Sequence, residues 1–154
     1  MEKWERILDP SHVLVGLKAQ RNFDAIREVA SVLVEVGAAS DLKRFLAGLI
    51  QREKEASTGI GKGVAVPHAH EDGIERQLLA IGISQKGVDF GALDGEPVRI
   101  IALLATPRKH QKQHMKLLAS LSRLLQNRDV RESLVAAADS AEVVDIFMRN
   151  RKLS

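Results

Sequence analysis

Residues 98–105, Val-Arg-Ile-Ile-Ala-Leu-Leu-Ala, form a nearly continuous apolar run, and this run is the strongest indication of the fold. A strand that is exposed on one face alternates apolar and polar residues, whereas a strand covered on both faces is apolar throughout. Residues 98–105 therefore predict an interior strand of a sheet that has helices packed on both sides.

Further strands are predicted on either side of this run. The predicted strands are residues 13–15, 64–66, 78–84 and 98–105. Gly16 and Pro67 end the two short strands, and Asp94-Gly95 is a turn signal between the two long ones. The glycine-rich residues 57–63 are predicted to form a loop.

Apolar residues recur at helical spacing in the rest of the chain. The predicted helices begin at Asn22, at Ser40-Asp41, after Pro107, after Asn127 and at Ser140. The first is expected to end at Gly37 and the second near Lys54. This order of helices and strands predicts an α/β fold (α+β type) of three layers, with helices on both faces of a mixed sheet of about four or five strands. We expect residues 1–154 to form a single domain.

The composition excludes several classes of function. The chain has 154 residues, no cysteine and a net charge of +3, with 23 Lys+Arg against 20 Asp+Glu. The lack of cysteine rules out disulfide scaffolds, thiolate metal sites and cysteine nucleophiles. Scattered basic residues and few aromatic ones argue against nucleic-acid binding. No apolar run is long enough to span a membrane and residues 1–6 lack a signal-peptide core, so we expect a cytoplasmic protein that is not embedded in a membrane.

One segment, residues 58–70, combines glycine with histidine: its sequence is Thr-Gly-Ile-Gly-Lys-Gly-Val-Ala-Val-Pro-His-Ala-His. A Walker P-loop is excluded because Lys62 is followed by glycine, and a dinucleotide fingerprint is excluded because the glycines precede a strand. Three interpretations remain: a tight structural turn, a metal-binding pair formed by His68 and His70, and a reactive histidine at the end of a strand. Zinc needs a third protein ligand. The candidates for that ligand are Glu71, Asp72, His110 and His114.

His114 occupies a position in the apolar stripe of its predicted helix where leucine is expected, and it lies in the first turn. A helix N-terminus has unpaired N–H groups and a partial positive charge, which attract phosphate. Arg108, Lys109 and Lys112 add positive charge nearby. Two interpretations remain open: a core histidine satisfied by a backbone carbonyl, or a group that binds phosphoryl oxygens beside a reactive His68.

Several of these segments together resemble the type-2 enzyme IIA domains of the bacterial phosphoenolpyruvate-dependent phosphotransferase system (PTS), the fructose/mannitol class. The resemblance starts from residues 58–69 and continues through residues 93–98, Leu-Asp-Gly-Glu-Pro-Val. It includes the strand that ends at Thr106-Pro107 and the helix over residues 114–125. In total it covers residues 10–149, nearly the whole chain.

The resemblance implies a role for three side chains. His68, the histidine after the proline, would carry a phosphoryl group on Nε2 (the tele nitrogen), and His114 would stabilise that group. Arg52 is the nearest match to the family's arginine and would also stabilise the phosphoryl group, although Lys54 and Lys62 compete for this role. No cofactor or metal is implied, because the donor is itself a phosphohistidine on a histidine phosphocarrier protein (HPr or its nitrogen-branch counterpart). An imidazole with an ordinary pKa of about 6.5 suits an acceptor, since it is largely neutral at cytosolic pH.

The branch of the family is indicated by Arg52-Glu53 followed by residues 57–61, Ser-Thr-Gly-Ile-Gly. This pattern is most similar to the nitrogen-regulatory enzyme IIA proteins, so we expect a regulatory phosphocarrier with a regulated target protein as its partner. One alternative is a fructose- or mannitol-specific IIA component that passes phosphate to a sugar-specific IIB. Another is a phosphorylation-dependent binding module without onward transfer. His70 lies outside the family pattern and receives no role.

Overall fold

The structure, a computed structural model, describes residues 4–35, 37 and 42–154. The strands within these ranges are β1 (Val13–Val15), β2 (Gly59–Gly61), β3 (Val64–Ala65), β4 (His68–His70), β5 (Leu78–Val88) and β6 (Val98–Thr106). They form one mixed sheet in the order β1-β5-β6-β3-β2, and β4 also pairs with β6.

The centre of the sheet is the antiparallel pair of β5 and β6. β1 runs parallel to β5, whereas β3 and β4 both run parallel to β6, and β2 forms an antiparallel hairpin with β3. β3 and β4 lie one after the other along the same edge of β6, with Pro67 between them. The pairing places residues 68–70 beside residues 104–106, at the carboxyl end of the central strand.

Helices cover both faces of this sheet. They are α1 (Trp4–Ile7), α2 (Asn22–Glu35), α3 (Leu42–Glu55), α4 (Gln111–Leu125), α5 (Arg128–Ala136) and α6 (Ser140–Arg149), with short 3₁₀ turns at Pro10–His12, Arg108–His110 and Arg151–Leu153. α1, α4, α5 and α6 pack on one face, and α2 and α3 pack on the other. The predicted three-layer α/β architecture is therefore confirmed. None of the helices in the described ranges is long and apolar enough to cross a membrane.

The apolar run of β6 is buried on both sides, as predicted. Alternate residues belong to two separate cores: Ile100, Ala102 and Leu104 pack towards α4–α6, and Ile101, Leu103 and Ala105 pack towards α2 and α3. Each of these side chains is at most 1% exposed, so residues 100–105 offer no place for a polar residue, and the one charged residue of the run, Arg99, lies near its start and is partly exposed.

The sheet has more strands than predicted, because β2 lies in the segment expected to be a loop. Its hairpin turns through Lys62 and Gly63, which have positive φ angles of 58° and 80°. β2 pairs with β3 through main-chain hydrogen bonds. Its glycines have no side chains that would mark a strand in the sequence, so the pattern of residues does not predict it. With β4 included, the described part of the chain contains six strands rather than four or five.

One helix cap differs from its prediction by a residue. The N-cap of α6 is Asp139, whose side chain accepts a hydrogen bond from the Glu142 N–H. Ser140, the predicted cap, instead donates its hydroxyl to the Val13 carbonyl. Asp and Ser are both strong caps, so adjacent candidates are difficult to rank from sequence. The predicted start of the second helix at Ser40-Asp41 lies outside the described residues.

Packing around Gly82, in the middle of β5, leads to a prediction about stability. A Cβ atom there would lie 2.5 Å from Val29 Cγ2 and 3.1 Å from Leu17 Cδ1, so a side chain has no space. We expect Gly82→Ala to lower the free energy of unfolding by about 1–3 kcal/mol through overpacking, measured by urea denaturation. Gly48→Ala on α3 is the matched control, because its Cβ would meet only Ala69 Cβ at 3.4 Å. Equal stabilities for the two variants would contradict the prediction.

Candidate functional site

Three histidines meet at the carboxyl end of β6. His68 and His70 are the first and last residues of β4, and His114 is in the first turn of α4. The ring centroids of His68 and His114 are 5.3 Å apart, and those of His70 and His114 are 4.9 Å apart. His68 and His70 therefore share a face of β4, since both rings reach the same helix.

The imidazole of His68 is held in one tautomer by the main chain. Its Nδ1 lies 2.8 Å from the Val66 carbonyl oxygen, and a carbonyl only accepts hydrogen bonds, so Nδ1 carries the proton. In the neutral ring, Nε2 is then the unprotonated nitrogen with a free electron pair. Burial lowers the pKa of His68, the hydrogen bond to Val66 opposes this, and the charges of Arg52 and His70 lower it further. The ring is thus neutral at pH 7 and has its nucleophilic nitrogen available.

His114 is also neutral, and it is almost fully buried. Burial, reinforced by His68 and His70, lowers its pKa to about 4. Its Nδ1 lies 2.8 Å from the hydroxyl oxygen of Thr106, so its partner is a side-chain hydroxyl rather than the backbone carbonyl considered from the sequence. A neutral imidazole in the first turn of a helix can donate one hydrogen bond to an anion without bringing a charge.

Arg52 lies in the last turn of α3 and acts electrostatically on His68. Its Nη1 donates a hydrogen bond to the Ala56 carbonyl at 2.9 Å. Its positive charge contributes to the lowered pKa of His68, whereas Lys54 and Lys62 do not contribute and are exposed. Of the three basic residues considered from the sequence, Arg52 is the one whose charge reaches the histidine.

A chain of hydrogen bonds connects α3 to His68 through the glycine-rich hairpin. The buried carboxylate of Glu53 accepts the Thr58 N–H at distances of 3.0 and 3.2 Å. The Thr58 carbonyl accepts the Val66 N–H at 3.0 Å, and the Val66 carbonyl in turn accepts from His68. Burial raises the pKa of Glu53, and its hydrogen bonds from Thr58 oppose this. The orientation of the His68 ring is therefore set by main-chain geometry that begins at α3.

A metal-binding pair at His68 and His70 receives no support from the geometry. Within residues 4–35, 37 and 42–154, no three side chains of the ligating types are grouped to hold a metal ion. Two of the proposed third ligands have other partners: Glu71 is buried in an ion pair with Arg44, and Asp72 binds Arg108 with an Oδ2–Nη1 distance of 2.6 Å.

Comparison with known proteins identifies the group to which this site belongs. Residues 6–150 match the family model described as phosphoenolpyruvate-dependent sugar phosphotransferase system, EIIA 2. The chain belongs to this family. The resemblance stated from residues 58–69 and the later segments is thereby confirmed.

The relatives that are similar to the chain include both nitrogen regulatory proteins and fructose-specific components. A nitrogen regulatory protein of Pseudomonas aeruginosa is 30% identical over 148 residues, which cover 96% of each chain. A fructose-specific EIIA component of Haloferax volcanii is 34% identical over 123 residues, 80% of each chain. A fructose-specific EIIABC component of Bacillus subtilis is 29% identical over 97% of this chain, which spans only 24% of that larger relative.

Solved structures of family members share the fold. The nitrogen regulatory protein IIA-Ntr of Neisseria meningitidis aligns with a TM-score of 0.84 at 30% identity, covering 92% of this chain and 96% of the other. The mannitol enzyme IIA of Escherichia coli, solved in complex with phosphorylated enzyme IIB, aligns with a TM-score of 0.77 at 23% identity. It covers 92% of this chain and 97% of the other, and at that identity the likeness concerns the fold alone.

Sequence reasoning missed four residues that surround the histidines: Glu53, Thr58, Gln77 and Thr106. Each is at most 5% exposed. In the sequence, Glu53 contributes only to the pattern that indicates the branch of the family, and Thr106 only marks the end of a strand. A polar residue that directly ends an apolar strand, as Thr106 does, is the available sequence signal.

The low pKa of His114 predicts a loss of stability in acid. In the unfolded chain its pKa is about 6.5, but in the folded protein it is about 4. Between these values the unfolded chain binds more protons, so the free energy of unfolding falls as the pH falls from 6.5 to 4. The loss is on the order of 3 kcal/mol at most. Urea unfolding at pH 7 and pH 4.5 should show a smaller loss for His114→Leu than for wild type, and equal losses would contradict the assignment.

Proposed function

We propose that the protein is a phosphocarrier of the phosphoenolpyruvate-dependent phosphotransferase system that accepts a phosphoryl group on Nε2 of His68. The observation that carries this proposal is the 2.8 Å hydrogen bond from His68 Nδ1 to the Val66 carbonyl. It leaves Nε2 as the unprotonated nitrogen, in a ring whose pKa is lowered by burial and by nearby Arg52. Membership of the family supports the same chemistry.

The transfer step needs no metal and no nucleotide in this proposal. The electron pair of His68 Nε2 attacks the phosphorus of a phosphohistidine on the donor protein, and the donor's P–N bond breaks. The electron pair of that bond returns to the donor imidazole, and the proton of His68 stays on Nδ1, which continues to donate its hydrogen bond to the Val66 carbonyl. Phosphoryl transfer passes through a loose transition state, so positioning and charge stabilisation account for most of the catalysis.

Two groups of the chain are suited to stabilise the transferred phosphoryl group. The His114 ring, 5.3 Å from that of His68 between centroids, offers a neutral N–H donor from the first turn of α4. Arg52 offers a positive charge that already acts on His68 in the unmodified protein. Charge-assisted hydrogen bonds from an arginine to phosphoryl oxygens are stronger than those between neutral groups.

We favour a regulatory role for this phosphocarrier. The nitrogen regulatory relative from Pseudomonas is matched over 96% of its length, and the Neisseria IIA-Ntr has a TM-score of 0.84. In this role HPr or its nitrogen-branch counterpart is the donor, and a regulated target protein distinguishes the two phosphorylation states. The alternative of a fructose-type IIA component that passes phosphate to a IIB is favoured by the 34% identity to the Haloferax protein.

The experiment has two stages. The protein is first incubated with phosphoenolpyruvate, enzyme I and either HPr or its nitrogen-branch counterpart, and acid-labile phosphate is measured over time. We expect labelling with at least one donor, and no labelling with either would refute the phosphocarrier proposal. Fructose- and mannitol-type IIB proteins are then added to the labelled protein. Retention of the phosphate favours the regulatory role, whereas rapid discharge favours the sugar-specific alternative.

A further inference from the structure

Thr106 is the last residue of β6, and it lies between the residues that flank that strand. On one side it pairs with His70 of β4, and on the other the register of β5 places Gln77 opposite it. Its side chain contacts His114, which lies above the sheet in the first turn of α4. Thr106, Gln77 and His114 are all at most 3% exposed, so water does not compete for their hydrogen bonds.

The direction of the hydrogen bonds follows from what each group can donate. The Gln77 amide nitrogen lies 3.3 Å from the Thr106 hydroxyl oxygen, and an amide N–H only donates, so it occupies one electron pair of that oxygen. The hydroxyl has a single proton to donate. His114 Nδ1, 2.8 Å away, is the acceptor within reach of that proton.

The tautomer of His114 follows from this direction. The neutral ring has one N–H, and if Nδ1 accepts from Thr106, the proton is on Nε2. His68 has the opposite tautomer, since its Nδ1–H donates to Val66. The two neighbouring rings then have complementary roles: His68 presents an electron pair on Nε2, and His114 presents a proton on Nε2.

We propose that Thr106 is a positioning residue that holds the proton of His114 on Nε2, and that Gln77 orients the Thr106 hydroxyl for this purpose. The proposal rests on the phosphocarrier function proposed above. The proton of Nε2 is the one that a neutral His114 can donate to the phosphoryl group on His68. Without the hydroxyl, His114 would divide its proton between its two nitrogens, and the fraction with Nδ1–H would have no donor for the phosphoryl oxygens.

The test begins with the unphosphorylated full chain labelled with ¹⁵N-histidine. Long-range ¹H–¹⁵N correlation spectra distinguish protonated from unprotonated ring nitrogens in neutral histidine. We expect His114 with a proton on Nε2 and none on Nδ1, and His68 with the reverse. A wild-type His114 protonated on Nδ1 would overturn the proposal, because Gln77 would then have to accept from Thr106 instead of donating to it.

Three variants connect the tautomer to the reaction. Thr106→Val keeps the shape but removes the hydroxyl, and we expect a mixed His114 tautomer together with a phosphotransfer rate that falls in proportion to the remaining Nε2–H fraction, about twofold for an even mixture. Thr106→Ser keeps the hydroxyl and should restore both properties, and Gln77→Leu should cause a smaller change in the same direction. An unchanged His114 tautomer and rate in Thr106→Val would overturn the proposal, as would a slower rate with an unchanged tautomer.

This design separates the proposal from the proposed function. The tautomers are measured without any phosphoryl donor, so they report on Thr106 whether or not the protein is phosphorylated. A failure of wild-type labelling would refute the phosphocarrier function, and the spectra would still decide whether Thr106 sets the tautomer of His114. In the Thr106→Val spectra, an unchanged His68 tautomer serves as the internal control for an intact β4.

Discussion

Replacing His68 with alanine is expected to reduce labelling from phosphoenolpyruvate to background, because His68 is the single phosphoryl acceptor proposed for the protein. No other described histidine combines a half-buried position with an Nδ1–H held by the carbonyl two residues earlier in the chain and a ring beside His114. The measurement is the amount of acid-labile phosphate formed with enzyme I and the donor protein. The variant should remain folded, since residue 68 contributes to neither apolar core.

His70→Ala is the matched control for this variant. It removes an imidazole from the same face of β4, two residues away, and one that also lies beside His114. Its Nδ1 bonds the Thr106 main-chain carbonyl at 3.2 Å, so the loss is one hydrogen bond at the edge of the site. We expect labelling of His70→Ala to reach the wild-type extent. Full labelling of His68→Ala, or loss of labelling in His70→Ala alone, would contradict the assignment.

The second large effect is expected at His114. Replacing it with leucine removes the neutral donor beside the phosphoryl group, and the loss of one positioned donor typically lowers the rate by about 10²-fold. Leucine suits the buried stripe that includes Leu117 and Leu121, so the protein should stay folded at neutral pH. The measurement is the single-turnover rate of phosphoryl transfer from the donor protein, with unfolding monitored separately.

Two further variants make the His114 result specific. His114→Gln retains an N–H at about the reach of Nε2 and should lose less of the rate than His114→Leu. Met115→Ala removes the adjacent side chain, which is 57% exposed, and should leave the phosphoryl transfer itself unchanged once the donor is saturating. Unchanged kinetics in His114→Leu would make His114 a core residue only.

The parts of the fold that were predictable are those recorded in side-chain patterns. Burial on both faces of β6 excludes polar residues from residues 100–105, so the central strand and the helices on both sides could be inferred. The hairpin strand β2 could not, because its Gly-Ile-Gly sequence pairs through the main chain. The sequence predicts that β5 ends at Ser84, because the apolar pattern stops there. The strand continues to Val88 through polar residues, which the side-chain pattern does not indicate.

The candidate site was predictable to a similar degree. His68 and His70 alternate with Ala69, so their common face followed from the two-residue period of a strand. The contact of His114 with Thr106 was not predictable, since it depends on how α4 is placed over the end of β6. Likewise, the selection of Arg52 over two lysines required knowing which charge reaches His68.

The central claim, that Nε2 of His68 accepts the phosphoryl group, is tested most directly by locating the phosphate on the modified protein. The protein labelled with ¹⁵N-histidine is phosphorylated with phosphoenolpyruvate, enzyme I and the donor, and the coupling of ³¹P to the ring nitrogens is measured. We expect a single phosphorylated nitrogen, Nε2 of His68, with Nδ1 still protonated and donating to the Val66 carbonyl. Phosphate on Nδ1 of His68, or on His70 or His114, would contradict the claim.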